Sequence, residues 1–277
     1  MSYHFHPPHD GLSQLTQTLL NLRTRWPGDW PGLPVVVDSC AAQLWTQISA
    51  SSSQTQTLVK AALAMASDME TMAQSCDHEP DYHNRLHTAD ALVSLCWMLK
   101  LLKTDKHVVP DEWAAALLLA VTSHDVLHPG GANSYLQEFE QQSVNQFQQL
   151  AARHGIDDVW VQRISQLILL TDPSLVSANH DKVKAKAFVF DLDWAVVLVN
   201  EADILASATS HLGPGLGLQL AQEWKYKQHR LHSVVGTDAG RLNFLRSLRF
   251  SSPASIRLGI RQAVDQQIQA LDKPLNG

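Results

Sequence analysis

Tyr82-His83-Asn84-Arg85-Leu86-His87-Thr88-Ala89-Asp90 and, further along, His124-Asp125-Val126-Leu127-His128-Pro129-Gly130-Gly131-Ala132-Asn133 decide how this chain is read. Together they offer four histidines and carboxylates at spacings that suit a two-metal hydrolytic site. His83 and His87 are four apart, so on a helix or at its mouth they share a face. Two imidazoles so placed can meet one ion, or one can bind metal while the other faces substrate. An isolated H-x-x-x-H would read as two helix-surface histidines; the surrounding Tyr, Asn and Asp, with the second stretch, argue for a site. His124 and Asp125 close the apolar run Trp113 to Thr122, long enough for a buried helix. Adjacent polar groups at a buried helix end are costly unless paired or bound to metal. A neutral imidazole and a carboxylate suit Zn²⁺, Mn²⁺, Fe or Mg²⁺. Pro129 and Gly130 stop the helix and turn the chain.

These residues resemble the class I 3′,5′-cyclic nucleotide phosphodiesterase catalytic domain, a branch of the HD-domain metal-dependent phosphohydrolases. That family carries Y-H-N-x-x-H-x-x-D, then H-D-x-x-H-P-G-x-x-N, then T-D, then A-D. Thr171-Asp172 and Ala202-Asp203 stand in that order here, the latter on a helix expected to begin near Lys186. The resemblance covers residues 60–250 and implies an all-α, compact multi-helix fold. It implies that His87, His124, Asp125 and Asp203 hold a first metal, Zn²⁺, and that Asp125 bridges to a second, Mg²⁺ or Mn²⁺. It further implies hydrolysis of a cyclic nucleotide to the 5′-monophosphate by a hydroxide held between the metals, with His83 as general acid. His128 and Thr171 would hydrogen-bond metal waters. Tyr82, Asn84, Asp90 and Asn133 match positions that shape and support the site.

The chain departs from the family in places. A late S-Q-x-x-F segment supplies a Gln that hydrogen-bonds the base, and Gly240-Arg241-Leu242-Asn243-Phe244 is the local match. Phe244 keeps the aromatic that clamps a base. Arg241 has donors only and does not mimic an amide; it meets a phosphate or carboxylate, or it is a surface residue. Ala206 stands where the family has Asn, and neutral Gln146 where it has a Glu near the second-metal waters. Asp191 and Asp193 compete with Asp203 as the last ligand, and the Ala-Asp-Ile context favours Asp203.

Composition sets outer bounds. A chain of 277 residues with 45% hydrophobic content supports a full core. The expected division is a helical extension over residues 1–60 and a catalytic domain over 61–277. A net charge of -6 argues against a general nucleic-acid binder, whose footprint is basic. Cys40, Cys76 and Cys96 show no C-x-x-C spacing and suggest a reducing, cytoplasmic setting. No apolar run reaches membrane-spanning length, so no membrane partner is expected. The expected partner is a cyclic nucleotide or related phosphoester; a homodimer stays open. His4, His6 and His9 read as a solvated arm.

Helical patterns fall at about 11–25, 58–75, 84–103, 111–124, 135–154, 157–171, 186–210, 215–232, 239–249 and 253–271, and strand alternation is scarce. The Ala- and Met-rich 58–75 reads as core packing, His211 to Gly217 as a turn, and Lys225 to Arg230 as a solvated basic face. Three functions compete: cyclic nucleotide hydrolysis, hydrolysis of another nucleotide or phosphoester, which Arg241 favours, and a non-catalytic metal-binding sensor.

Overall fold

The computed structural model describes residues 11–76 and 78–272. His4, His6 and His9 lie outside them. The chain is all-α, with no strand among the described residues. In order come α1 (Gly11–Arg23), α2 (Leu33–Leu44), a 3-10 turn (Ile48–Ala50), α3 (Ser53–Gln74), α4 (Arg85–Thr104), α5 (Asp111–Ser123) and α6 (Glu138–His154). Then come α7 (Asp158–Leu169), α8 (Val176–Val183), α9 (Leu192–Ala208), α10 (Gly213–Tyr226), α11 (His232–Val235), α12 (Asp238–Ser247), α13 (Pro253–Leu258) and α14 (Ile260–Leu271). No described helix is long and apolar enough to cross a membrane.

Three helices form the centre because their sequences leave no polar face. α4 is buried from Leu86 through Leu99, α5 from Ala114 through Ser123, and α9 from Trp194 through Ala202. A helix apolar all round has to be enclosed. α9 packs on α4, α3 on α5, and α2 on α4. Leu15, Leu19 and Val37, from α1 and α2, are fully buried in the same cluster as Leu92 of α4 and Leu117 of α5.

Several boundaries differ from the sequence pattern, each for a local reason. α2 starts at Leu33-Pro34, where proline's fixed φ suits the first turn, so proline-rich sequence here opens a helix. α3 begins at Ser53 because the Ser52 hydroxyl accepts from Thr55 N. α9 begins at Leu192, not near Lys186, because the Asp191 carboxylate accepts from Trp194 N at 3.0 Å. The expected 253–271 helix is broken at Gly259, whose φ of 70° is left-handed. α10 opens inside the glycine-rich 211–217 stretch, with Pro214 in its first turn. Buried Glu201 ties α13 to α9, accepting from the backbone N–H of Ser251 and Ser252 and the hydroxyls of Ser252 and Ser255.

Candidate active site

The central helices carry the site. At the mouth of α4, the Asn84 side chain accepts from Leu86 N and His87 N, starting the helix and placing His87 in its first turn. At the end of α5, His124 Nδ1 donates to Val121 O at 2.7 Å. A carbonyl only accepts, so this bond puts the ring proton on Nδ1 and leaves Nε2 with a lone pair. That Nε2 is buried and has no hydrogen-bond partner. α9 brings Asp203 opposite, so His87, His124 and Asp203 face one point.

His87 Nε2 lies 2.9 Å from Asp203 Oδ1 and 3.2 Å from Asp125 Oδ2, and His124 Nε2 lies 3.3 Å from each of these oxygens. Ligands about 2.1 Å from one ion stand roughly 3.0–3.4 Å apart in octahedral or tetrahedral sets. The four groups therefore fit a divalent cation: two imidazoles, two carboxylates, and an orphaned nitrogen turned inward. Burial disfavours charge on His87, but the Asp125 and Asp203 carboxylates outweigh it and raise its pKa to about 9. His124 is raised on the same balance. Burial acts to raise both carboxylates, yet His124 and His87 hold Asp203 down, and these rings with His128 hold Asp125 down. Without a cation, protons on the imidazoles balance the carboxylates; a cation would replace them.

Beside this cluster stands His83. Its Nδ1 is 2.6 Å from Glu223 Oε1, and Glu223 Oε2 accepts from Tyr82 N and His83 N, each at 2.9 Å. A carboxylate accepts only, so Nδ1 donates and Nε2 is left for chemistry. His83, His128 and Glu223 also form a group that can surround a cation. The 2.6 Å separation is shorter than the roughly 3 Å edge of a ligand set, so we read it as a hydrogen bond. The His128 ring stacks on His83 at 3.8 Å, and its Nδ1 accepts from Gly130 N. Burial, then the neighbouring His83, pushes His128 down to about 3. Gly130 is required here: its φ is 72°, and a Cβ would lie 3.0 Å from Glu223 Cγ. The Tyr82 hydroxyl shares a 2.9 Å hydrogen bond with Ser207, and its ring lies 4.8 Å from that of His87. Burial, then the charge of Asp203, raises its pKa.

The remaining expected residues fall into three places. Asp90, fully buried on α4, is ion-paired to Arg23 of α1. Asn133 Nδ2 donates to Glu140 Oε2 at 2.9 Å and to Asp172 Oδ2 at 3.2 Å, binding the second signature's loop to α6 and to the Thr-Asp pair. The Thr171 hydroxyl donates to Ile168 O. Asp191 caps α9, and Asp193 pairs with Lys186. Arg241 and Phe244 are not brought to the cavity that His83 and Asp125 line. Arg241 donates to Ser207 O, Thr209 O and Gln267 Oε1, and burial lowers its pKa to about 10. Phe244 lies under it and packs against the cluster of Ala208, Leu245 and Ile260.

Reasoning from the sequence missed Glu223 and Arg23. Arg23 is the single charge of α1, and Glu223 stands beside Lys225 near the end of α10, so neither stretch carries a signal of its own.

An all-helical scaffold gathers two imidazoles and two carboxylates that could bind a divalent metal, beside a carboxylate-held histidine. Residues 82–151 match the family of 3′5′-cyclic nucleotide phosphodiesterases. The match spans both histidine signatures and supports a class I 3′,5′-cyclic nucleotide phosphodiesterase catalytic domain. No curated protein matches the chain.

Proposed function

We propose that this enzyme hydrolyses a 3′,5′-cyclic nucleotide to the 5′-monophosphate with two divalent ions, Zn²⁺ and Mg²⁺ or Mn²⁺, in a cytoplasmic setting. The observation that carries this is His124 Nε2, buried, unpartnered and about 3.3 Å from both Asp125 and Asp203. His87, His124, Asp125 and Asp203 would hold the first ion, and Asp125 is the carboxylate that would reach the second. Such ions, when bound, lower the pKa of a water and neutralise charge on the phosphoryl oxygens.

This chain's own residues do the rest. His83 carries the proton on Nε2 that the leaving O3′ alkoxide needs, worth about 10²–10⁴-fold. Glu223 holds that ring through Nδ1. His128, neutral above about pH 3, packs flat against His83 without adding a competing positive charge. Asn84 keeps His87 in register by capping α4.

The test is hydrolysis of cAMP and cGMP by the purified protein with added Zn²⁺, Mg²⁺ or Mn²⁺. His83→Ala should abolish most turnover with metal content near normal; loss of metal as well would make His83 a ligand. Asp125→Ala should empty the site; retained stoichiometric metal and activity would sink the two-metal assignment. A second reading, hydrolysis of another phosphoester, is favoured by Arg241, whose guanidinium is committed to backbone carbonyls where the family has a base-reading Gln.

A further inference from the structure

The cavity touching the catalytic side chains opens away from α12, the helix that carries the expected base contacts. His83, Asp125 and His128 form one wall of a space of about 500 Å³, within the range of small-molecule sites. Its other walls are the C-terminal end of α3, with Met69 and Met72, and the end of α10, with Tyr226 and Lys227. No residue of α12 lines it; Arg241 lines a separate cavity with Gly213 and Gln267.

The chemistry of these walls is specific. Methionines present a soft, adaptable apolar surface that suits a flat heteroaromatic ring. Tyr226 is 68% exposed, and its ring stands 5.9 Å from that of His78 at the mouth. Lys227 follows directly, its stem beside Gly131, and its ammonium has no hydrogen-bond or ion-pair partner among the described residues. Two other polar groups of the wall are committed. The Asn84 amide caps α4 and donates to Pro80 O and Asp81 O. Arg85 is held by Glu79 and Glu70.

From this we infer that the nucleoside part of the substrate sits in this cavity, against Met69, Met72 and Tyr226 with Lys227 facing its charge, and that the enzyme is tolerant of the base. The inference rests on the phosphodiesterase reading for its substrate class, but its test does not need turnover. Recognition here is by burial and ring contact, with no amide reading a base edge.

The experiment is calorimetric titration of 5′-AMP and 5′-GMP into the full-length, metal-loaded protein. Both should bind with affinities within about tenfold of each other, a difference of roughly 1.4 kcal/mol. Met72→Trp, which fills the cavity, should weaken both by about tenfold or more. Tyr226→Ala and Lys227→Ala lie on the exposed rim, where folding is not at stake, and should weaken both by about three- to tenfold. Absence of binding by the wild type, affinities unchanged in all three variants, or a preference for one base well beyond tenfold would each overturn the inference. Failure to hydrolyse cAMP and cGMP, with this binding pattern intact, would count against the phosphodiesterase reading alone.

Discussion

Glu223 accepts a 2.6 Å hydrogen bond from His83 across 140 residues of sequence, and the same carboxylate accepts from the backbone N–H groups of Tyr82 and His83, which flank the Tyr82 Cα. Burial acts to raise the Glu223 carboxyl, and the His83 interaction outweighs it, leaving the pKa lowered. One side chain thus fixes the tautomer, the ring plane and the backbone of the proposed general acid. Glu223→Gln keeps the shape and removes the charge. We expect kcat to fall by about 10–100-fold with bound metal unchanged; metal analysis beside steady-state kinetics checks it.

Asp203 is the one proposed ligand contributed from outside the family-matched segment. Asp203→Asn keeps the volume and weakens the site. Wild-type protein should bind zinc stoichiometrically and gain thermal stability as zinc is added, since an ion that binds only the folded state stabilises it by mass action. The variant should lose most of both effects, read by elemental analysis and by the melting temperature with and without zinc.

Arg23 neutralises Asp90 inside the fold, with 15% and 1% of the two side chains exposed. Burial raises the Asp90 carboxyl, and Arg23 opposes that rise. Removing one partner strands a buried charge, so Arg23→Met should cost about 3–5 kcal/mol, measured by urea unfolding. The Arg23→Met, Asp90→Asn double variant should recover part of that loss, because no lone charge is then left behind.

His180 of α8 is buried, its Nδ1 sharing a 2.8 Å hydrogen bond with the Ser251 hydroxyl. Burial, then the charge of Arg249, lowers its pKa to about 4. The unfolded chain therefore binds this proton more readily than the folded one. The contribution of neutral His180 is fully present above the unfolded value of about 6.5 and is lost as pH falls from there toward 4, by up to about 1.4 kcal/mol per unit. Stability measured from pH 7 to pH 4 should fall less steeply in His180→Gln than in the wild type.

The sequence made the helices and their chemistry legible where the information is local. α4 and α5 show as apolar runs because burial on every side demands apolar residues throughout, and His83, His87, His124 and Asp125 stand out at their ends because polar groups there need a reason. The helix over 253–271 read as continuous because hydrophobic periodicity carries through Gly259; only the backbone's left-handed turn reveals the break. α2 was hidden because prolines flank it, and α9 began late because one Asp191 hydrogen bond outweighs a helix-compatible run before it.

What the sequence determined by itself was an all-α chain with a histidine- and carboxylate-rich signature, since side-chain period and ligand type are properties of short segments. What only the tertiary structure decided was who meets whom. Arg23 reaches Asp90, Glu223 reaches His83, Arg241 turns to backbone carbonyls, and the cavity at the catalytic residues is walled by Met69, Met72, Tyr226 and Lys227. These pairings join segments far apart in the chain. They are set by how α1, α3, α9, α10 and α12 pack, and packing depends on the summed shape of many side chains, not on any pattern a single stretch displays.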